Sequence, residues 1–134
     1  MSRTEVKSPR RRQGEETRRA VLSDDYVARV EAATTRFDAP FQELITEAAW
    51  GNLWSRTEWT KRERSMVTIA LLAALGHTDE LAMHIRATER TGATEADVRE
   101  ALLHVAIYAG VPTANTAFKV AKQVLADMQQ GKPE

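Results

Sequence analysis

Apolar residues recur along most of this chain at intervals of three and four, the spacing that lays one stripe along a helix. Ser23 is placed to cap a helix running from Asp24 to about Arg36, with Asp24 and Asp25 at its positive end. Asp38 and Pro40 open a second, which carries Phe41, Leu44, Ile45, Ala48, Ala49 and Leu53 at helical spacing. Thr60 and Glu63 have the spacing of a capping box, and the helix they start stays apolar on every side from Met66 to Leu75 until Gly76 stops it. Such a helix has to be enclosed by other helices or by a partner subunit. Thr78 or Asp79 caps a fourth, ending at Gly92, and Thr94 caps a fifth, whose face includes Val98, Leu102, Val105 and Ala109. Gly110-Val111-Pro112 breaks that one, and a last helix holds Ala114, Ala117, Phe118, Ala121, Val124, Leu125 and Met128 to the core. No strand pattern or internal repeat stands out. The expected fold is all-α with about six helices.

The first residues do not share this pattern. Through Arg19 there are seven Lys and Arg against three Glu, and past Met1 the only apolar side chains before Gly14 are Val6 and the ring of Pro9. A segment so poor in apolar surface does not offset its own ordering entropy. Residues 1–13 are therefore expected to be a mobile basic tail, and 14–130 a helical domain. The run Arg10-Arg11-Arg12 is a possible nucleic-acid contact, but Lys plus Arg and Asp plus Glu both number 19 over the 134 residues, and that balance argues against a dedicated nucleic-acid binder. No apolar run approaches the roughly 20 residues of a membrane span, and no signal-peptide core leads the chain, so the expectation is a cytoplasmic protein with no membrane partner. Small residues such as Ala70, Ala73, Ala74, Ala101 and Ala117 let helices approach closely but each buries little area. Association into a homo-oligomer is the expected source of the remaining stability, against the alternative of a compact monomer with an alanine-rich core.

The chain has no cysteine. Thiol nucleophiles and disulfide exchange are excluded, which leaves acid–base and electrostatic chemistry. His77, Glu80 and His84 stand at i, i+3 and i+7 on one side of a helix. Adjacent turns aim three such ligands poorly at one ion, and no familiar zinc spacing is present, so no metal is expected. The pair Glu80 and His84, at i and i+4, suits proton transfer: a carboxylate there orients the imidazole and raises its proton affinity. A plain surface helix pair is the alternative. His104, between Leu103 and Val105, is expected to pack in the core. A second constellation joins Trp50, Trp54, Arg56, Trp59, Arg62 and Arg64. Its indoles and guanidiniums suit a pocket for a planar anion, or else a plugged helix junction with solvated arginines. The turn Tyr108–Pro112 is placed either to bring backbone amides near a ligand or simply to connect two helices.

Four segments carry a resemblance: GEETRRAVLSDDYV from Gly14, AWGNLWSR from Ala49, RSMVTIALLAALGHTDELAMHIRA from Arg64 and AIYAGVPTANTAF from Ala106. Together, over about residues 13–128, they resemble the carboxymuconolactone decarboxylase family, within the alkyl hydroperoxidase D-like superfamily. That superfamily's peroxidases carry Cys-x-x-Cys with a histidine beyond it. Here the corresponding positions are His77, Glu80 and His84, so the dithiol route is closed. The resemblance implies an oligomeric helical fold, as a trimer or hexamer. It also implies cofactor-free decarboxylation of 4-carboxymuconolactone, a lactone dicarboxylate, to the enol-lactone of 3-oxoadipate in protocatechuate breakdown. In that scheme His84 and Glu80 are catalytic. Arg64 and Arg56, with Arg62 or Arg86 as alternatives, hold the substrate carboxylates, while Trp50, Trp54 and Tyr108 form a dry wall. Three residues depart from the family's pattern: Ser23 where glycine is expected, Trp59 in place of a smaller residue, and Thr91 near where asparagine is usual. The competing function is another lactone as substrate, or a non-catalytic binder of small anions.

Overall fold

The computed structural model describes residues 6–133. These form eight α-helices and one π-helix with no strand among them, so the chain is all-helical as expected but richer in helices than the six anticipated. It divides into two compact units, residues 1–58 and 59–134.

The first unit contains α1 (Pro9–Leu22), α2 (Asp24–Ala33), α3 (Ala39–Ile45) and the π-helix Thr46–Trp54. Helix α1 starts inside the stretch anticipated as a tail, whose residues 1–5 lie outside the described residues. The local cause is visible in the sequence: the Ser8 hydroxyl accepts from Arg11 N at 3.1 Å and Pro9 occupies the first turn. The basic run Arg10–Arg12 is helical, with Arg11 facing Glu15 and Glu43 at 3.8 and 3.7 Å. Glycines set the approach of α1 to the π-helix. A Cβ on Gly14 would land on the Thr46 carbonyl, and one on Gly51 would sit 2.6 Å from the Arg10 carbonyl oxygen. The apolar core here is small: Val21, Leu22, Val27, Trp50 and Trp54.

Between α1 and α2, Ser23 takes φ 89° and ψ 153°, backbone that is nearly exclusive to glycine. This is the position at which the resemblance led us to expect glycine. The serine offsets part of the strain by capping α2, accepting from Tyr26 N at 3.1 Å.

The second unit holds α4 (Lys61–Leu75), α5 (Thr78–Arg86), α6 (Thr88–Thr91), α7 (Glu95–Tyr108) and α8 (Val111–Gln129). Capping boxes start α4 at Thr60 and α7 at Thr94. Gly76, at φ 75°, ends α4, and the His77 amide closes back on the Leu72 carbonyl at 2.9 Å. The single helix anticipated from Thr78 to Gly92 is broken at Ala87, where the Thr88 hydroxyl donates to the Ile85 carbonyl at 2.6 Å. One contiguous core joins these helices, built on Ile69, Leu81, Ile85, Val98 and Leu102 with the alanines of α8. The all-round apolar α4 is only half enclosed. Val67, Leu71 and Leu75, spaced four apart, remain exposed. No helix among the described residues is long and apolar enough to cross a membrane.

Candidate active site

Burial separates the arginines and histidines that the sequence could only group. In the second unit, Arg64 is 8% exposed and His84 is 7% exposed, on α4 and α5, which pack against each other. The helical period explains both placements. Arg64 adjoins the stripe Ser65, Ile69, Ala73, and His84 adjoins the stripe Leu81, Ile85, so each polar group is carried inward by its apolar neighbours.

Burial controls the protonation of His84. Its pKa is lowered from 6.5 to about 4, because loss of solvent disfavours the imidazolium; the Glu80 charge acts in the opposite direction and is outweighed. The expected rise in proton affinity is thus corrected in sign. Glu80 is exposed and offers a charge at the edge rather than a buried partner. At neutral pH the imidazole is therefore uncharged, a hydrogen-bond donor through one nitrogen and a proton acceptor through the other.

Arg62 contrasts with Arg64. It is exposed and makes a two-pronged ion pair with Asp97, Nε and Nη2 each 2.7 Å from a carboxylate oxygen. That pair holds the Asp97 carboxyl far below its usual range and raises Arg62 further. Arg62 is committed to joining the starts of α4 and α7. Arg86 donates to the Lys132 carbonyl.

Two other expectations are corrected. Tyr108 is 86% exposed with its ring stacked on His104, at 6.3 Å between centroids, so it forms no dry wall within this chain. His104 is exposed rather than packed in the core, because it lies on the outer side of α7 opposite Leu102 and Val105. Arg56 is exposed and faces Glu58 at 3.5 Å. In the first unit Trp50 and Trp54 are buried with ring centroids 5.2 Å apart, a tilted pair on the π-helix. No group of three His, Asp or Glu side chains is placed to hold a metal among the described residues.

Sequence reasoning passed over Ser65. It is fully buried beside Arg64, and its hydroxyl has no hydrogen-bond partner among the described residues. A polar residue four before Ile69 on an apolar stripe was the available signal.

An all-helical protein that buries an imidazole and a guanidinium on packed helices, and contains no cysteine, has groups for acid–base and electrostatic chemistry and none for a thiol mechanism. Comparison with known proteins narrows the class. The family model for the carboxymuconolactone decarboxylase family matches residues 39–123, and the chain belongs to that family. It is 42% identical over 119 residues to the 4-carboxymuconolactone decarboxylase of Acinetobacter baylyi, an alignment covering 89% of each chain. It is 38% identical over 116 residues to the nitrosuccinic acid decarboxylase npaB of Metarhizium robertsii, covering 87% of this chain and 81% of that one.

Proposed function

We propose that this protein is a carboxy-lyase that converts 4-carboxymuconolactone to the enol-lactone of 3-oxoadipate in aromatic-compound breakdown, acting without a cofactor as a cytoplasmic homo-oligomer. The observation that carries the reaction is the burial of both His84 and Arg64, on packed helices, in a chain 42% identical to a decarboxylase of that name.

The substrate is its own electron sink. When the ring carboxylate leaves as CO2, the bonding pair passes through the carbon–carbon double bond onto the lactone carbonyl, leaving a dienolate. One proton then adds to the ring carbon beside the carbonyl. The balance is a dianion plus a proton giving a monoanion and CO2. Arg64 holds a substrate carboxylate, and its charge, held in a poorly solvated site, steadies the negative charge as it moves to oxygen. His84 begins neutral. The arriving carboxylates restore its affinity for a proton, which it then delivers to carbon. Glu80 biases the imidazole from the helix edge.

The nitrosuccinic acid relative supports the electron-sink logic. A carboxylate lost beside a nitro group also leaves its electrons on oxygen, so the same buried cation and imidazole suit both substrates. The exposed apolar line Val67, Leu71 and Leu75 supports self-association, with a trimer or hexamer proposed. The direct test incubates purified protein with 4-carboxymuconolactone and, in parallel, with nitrosuccinate, following ultraviolet absorbance and CO2 release. Turnover of the lactone is expected. CO2 from nitrosuccinate alone would replace the substrate, and release from neither would reject the function.

A further inference from the structure

The first unit contains a second buried guanidinium that the proposed reaction does not use. Arg18, on α1, is 8% exposed and lines a cavity of about 200 Å³. A water molecule in the liquid takes up roughly 30 Å³, so the space exceeds that of a single trapped solvent molecule. The cavity's polar wall also includes Gln42 and Thr46, and its apolar wall is made by Val27, Val30 and Ala39.

Two buried polar atoms here make no hydrogen bond among the described residues: the Arg18 Nε donor and the Gln42 Oε1 acceptor. Arg18 Nη1 reaches the Thr46 hydroxyl only at 3.4 Å, and that hydroxyl itself donates to the Gln42 carbonyl at 2.7 Å. Burial lowers the pKa of Arg18, with the Tyr26 hydroxyl and the Glu31 carboxylate opposing that shift. The carboxylates of the wall already face other cations. Glu15 has Lys7 at 2.7 Å and Arg11 at 3.8 Å, Glu43 has Arg11 at 3.7 Å, and Glu31 has Arg19 at 3.0 Å. Arg18 makes no ion pair with a described carboxylate. Leaving a buried donor unmade on a charged group costs more than the bond would have contributed, and a fold retains such a group where something supplies the missing acceptor.

We propose that this cavity is a binding site for a small monocarboxylate. Its two oxygens would take the Nε edge of Arg18 in the fork geometry a guanidinium offers. The Gln42 amide would serve it as well, since a half-turn presents its NH2 in place of its oxygen. A short alkyl stem fits against Val27, Val30 and Ala39. The three carboxylates in the wall disfavour a dianion, so phosphate is a poor occupant. The ligand is a free short-chain acid, separate from the lactone, so lactone turnover by the folded Arg18→Lys variant should be unchanged; a lowered turnover would overturn that assignment.

The test is a titration of the full-length, nitrogen-15-labelled protein with butyrate at constant ionic strength, watching the Arg18 Nε–Hε signal, assigned by its loss in Arg18→Lys. The signal should move saturably with butyrate and should not follow chloride or phosphate. Read from the backbone amides of Gln42 and Thr46 in the same spectra, Arg18→Lys should bind butyrate about ten-fold or more weakly, the scale of a charge-assisted hydrogen bond. Gln42→Leu, which keeps Arg18 in place, should weaken it by a smaller factor. An Arg18 signal indifferent to butyrate, or responding equally to all three anions, would overturn the proposal and leave the cavity to water. Because the signal reports on Arg18 itself, loss of lactone turnover elsewhere in the molecule does not affect the outcome.

Discussion

The two units use buried polarity in opposite ways. The second unit builds one continuous apolar core and buries Arg64 and His84 on the helices that form it, with ordinary helical backbone at both. The first unit has five buried apolar side chains and relies on special backbone: a serine in glycine territory, a π-helical turn, and two glycines where helices nearly touch. A core of the first kind can hold the proposed reacting groups rigidly, whereas the second kind governs stability. Substitutions in the second unit should therefore change rate more than folding, and those in the first should do the reverse.

The largest expected effect is on chemistry. His84→Ala should lower lactone turnover by roughly 10²–10⁴-fold if the imidazole transfers the proton, with the helical circular dichroism spectrum retained. A variant turning over near the wild-type rate would remove His84 from the mechanism and leave the second unit with no special claim on the reaction.

The two neighbouring arginines sharpen the comparison further. Arg64→Ala should reduce kcat/KM by about 10–100-fold, the scale of hydrogen bonds to a charged group. Arg62→Ala should leave kcat/KM nearly unchanged and slightly lower the melting temperature, because it removes the exposed Asp97 pair that joins α4 to α7. Equal losses from both would mean that burial does not distinguish the binding arginine.

Acid should weaken the second unit through His84. Its folded pKa, about 4, lies below the unfolded value near 6.5, so the unfolded chain binds the proton more readily between those limits. That stability is fully present above pH 6.5 and is lost as pH falls toward 4, amounting to roughly 3 kcal/mol at the acid end. Denaturant titrations over this range should show the slope in wild type and a flatter profile in His84→Gln. The smallest effect belongs to the first unit. Ser23→Gly exchanges one capping hydroxyl for relief of backbone strain and should raise stability by about 1 kcal/mol with no change in turnover.

Much of the second unit was legible in the sequence. Thr60 with Glu63, Thr94, Gly76 and the broken turn at Gly110 mark helix ends through local chemistry, and those ends are where the structure has them. The first unit was harder to read. Helix α1 depends on Ser8 and Pro9 as a cap and on Gly14 meeting Thr46, a contact that joins residues 32 apart and leaves no local signature. The site divided along the same line. Spacing located Glu80 and His84 on one helix, but the sign of the His84 shift depends on how much solvent the other helices remove, which no spacing reveals. Arg64 and Arg62 look alike in sequence, and only the packing of α4 tells them apart. Tyr108 forms no wall within this chain because its side of α7 faces outward.

The account turns on an imidazole that is neutral when the site is empty and charged when it is filled. Nitrogen-15 NMR of His84, titrated in the free protein and with the saturated analogue of the lactone dicarboxylate bound, measures this directly. The predicted result is a pKa near 4 in the free protein that climbs well toward neutrality in the complex. An imidazole that titrates like a solvated histidine when free, or one that keeps its value when the dicarboxylate binds, would contradict the account.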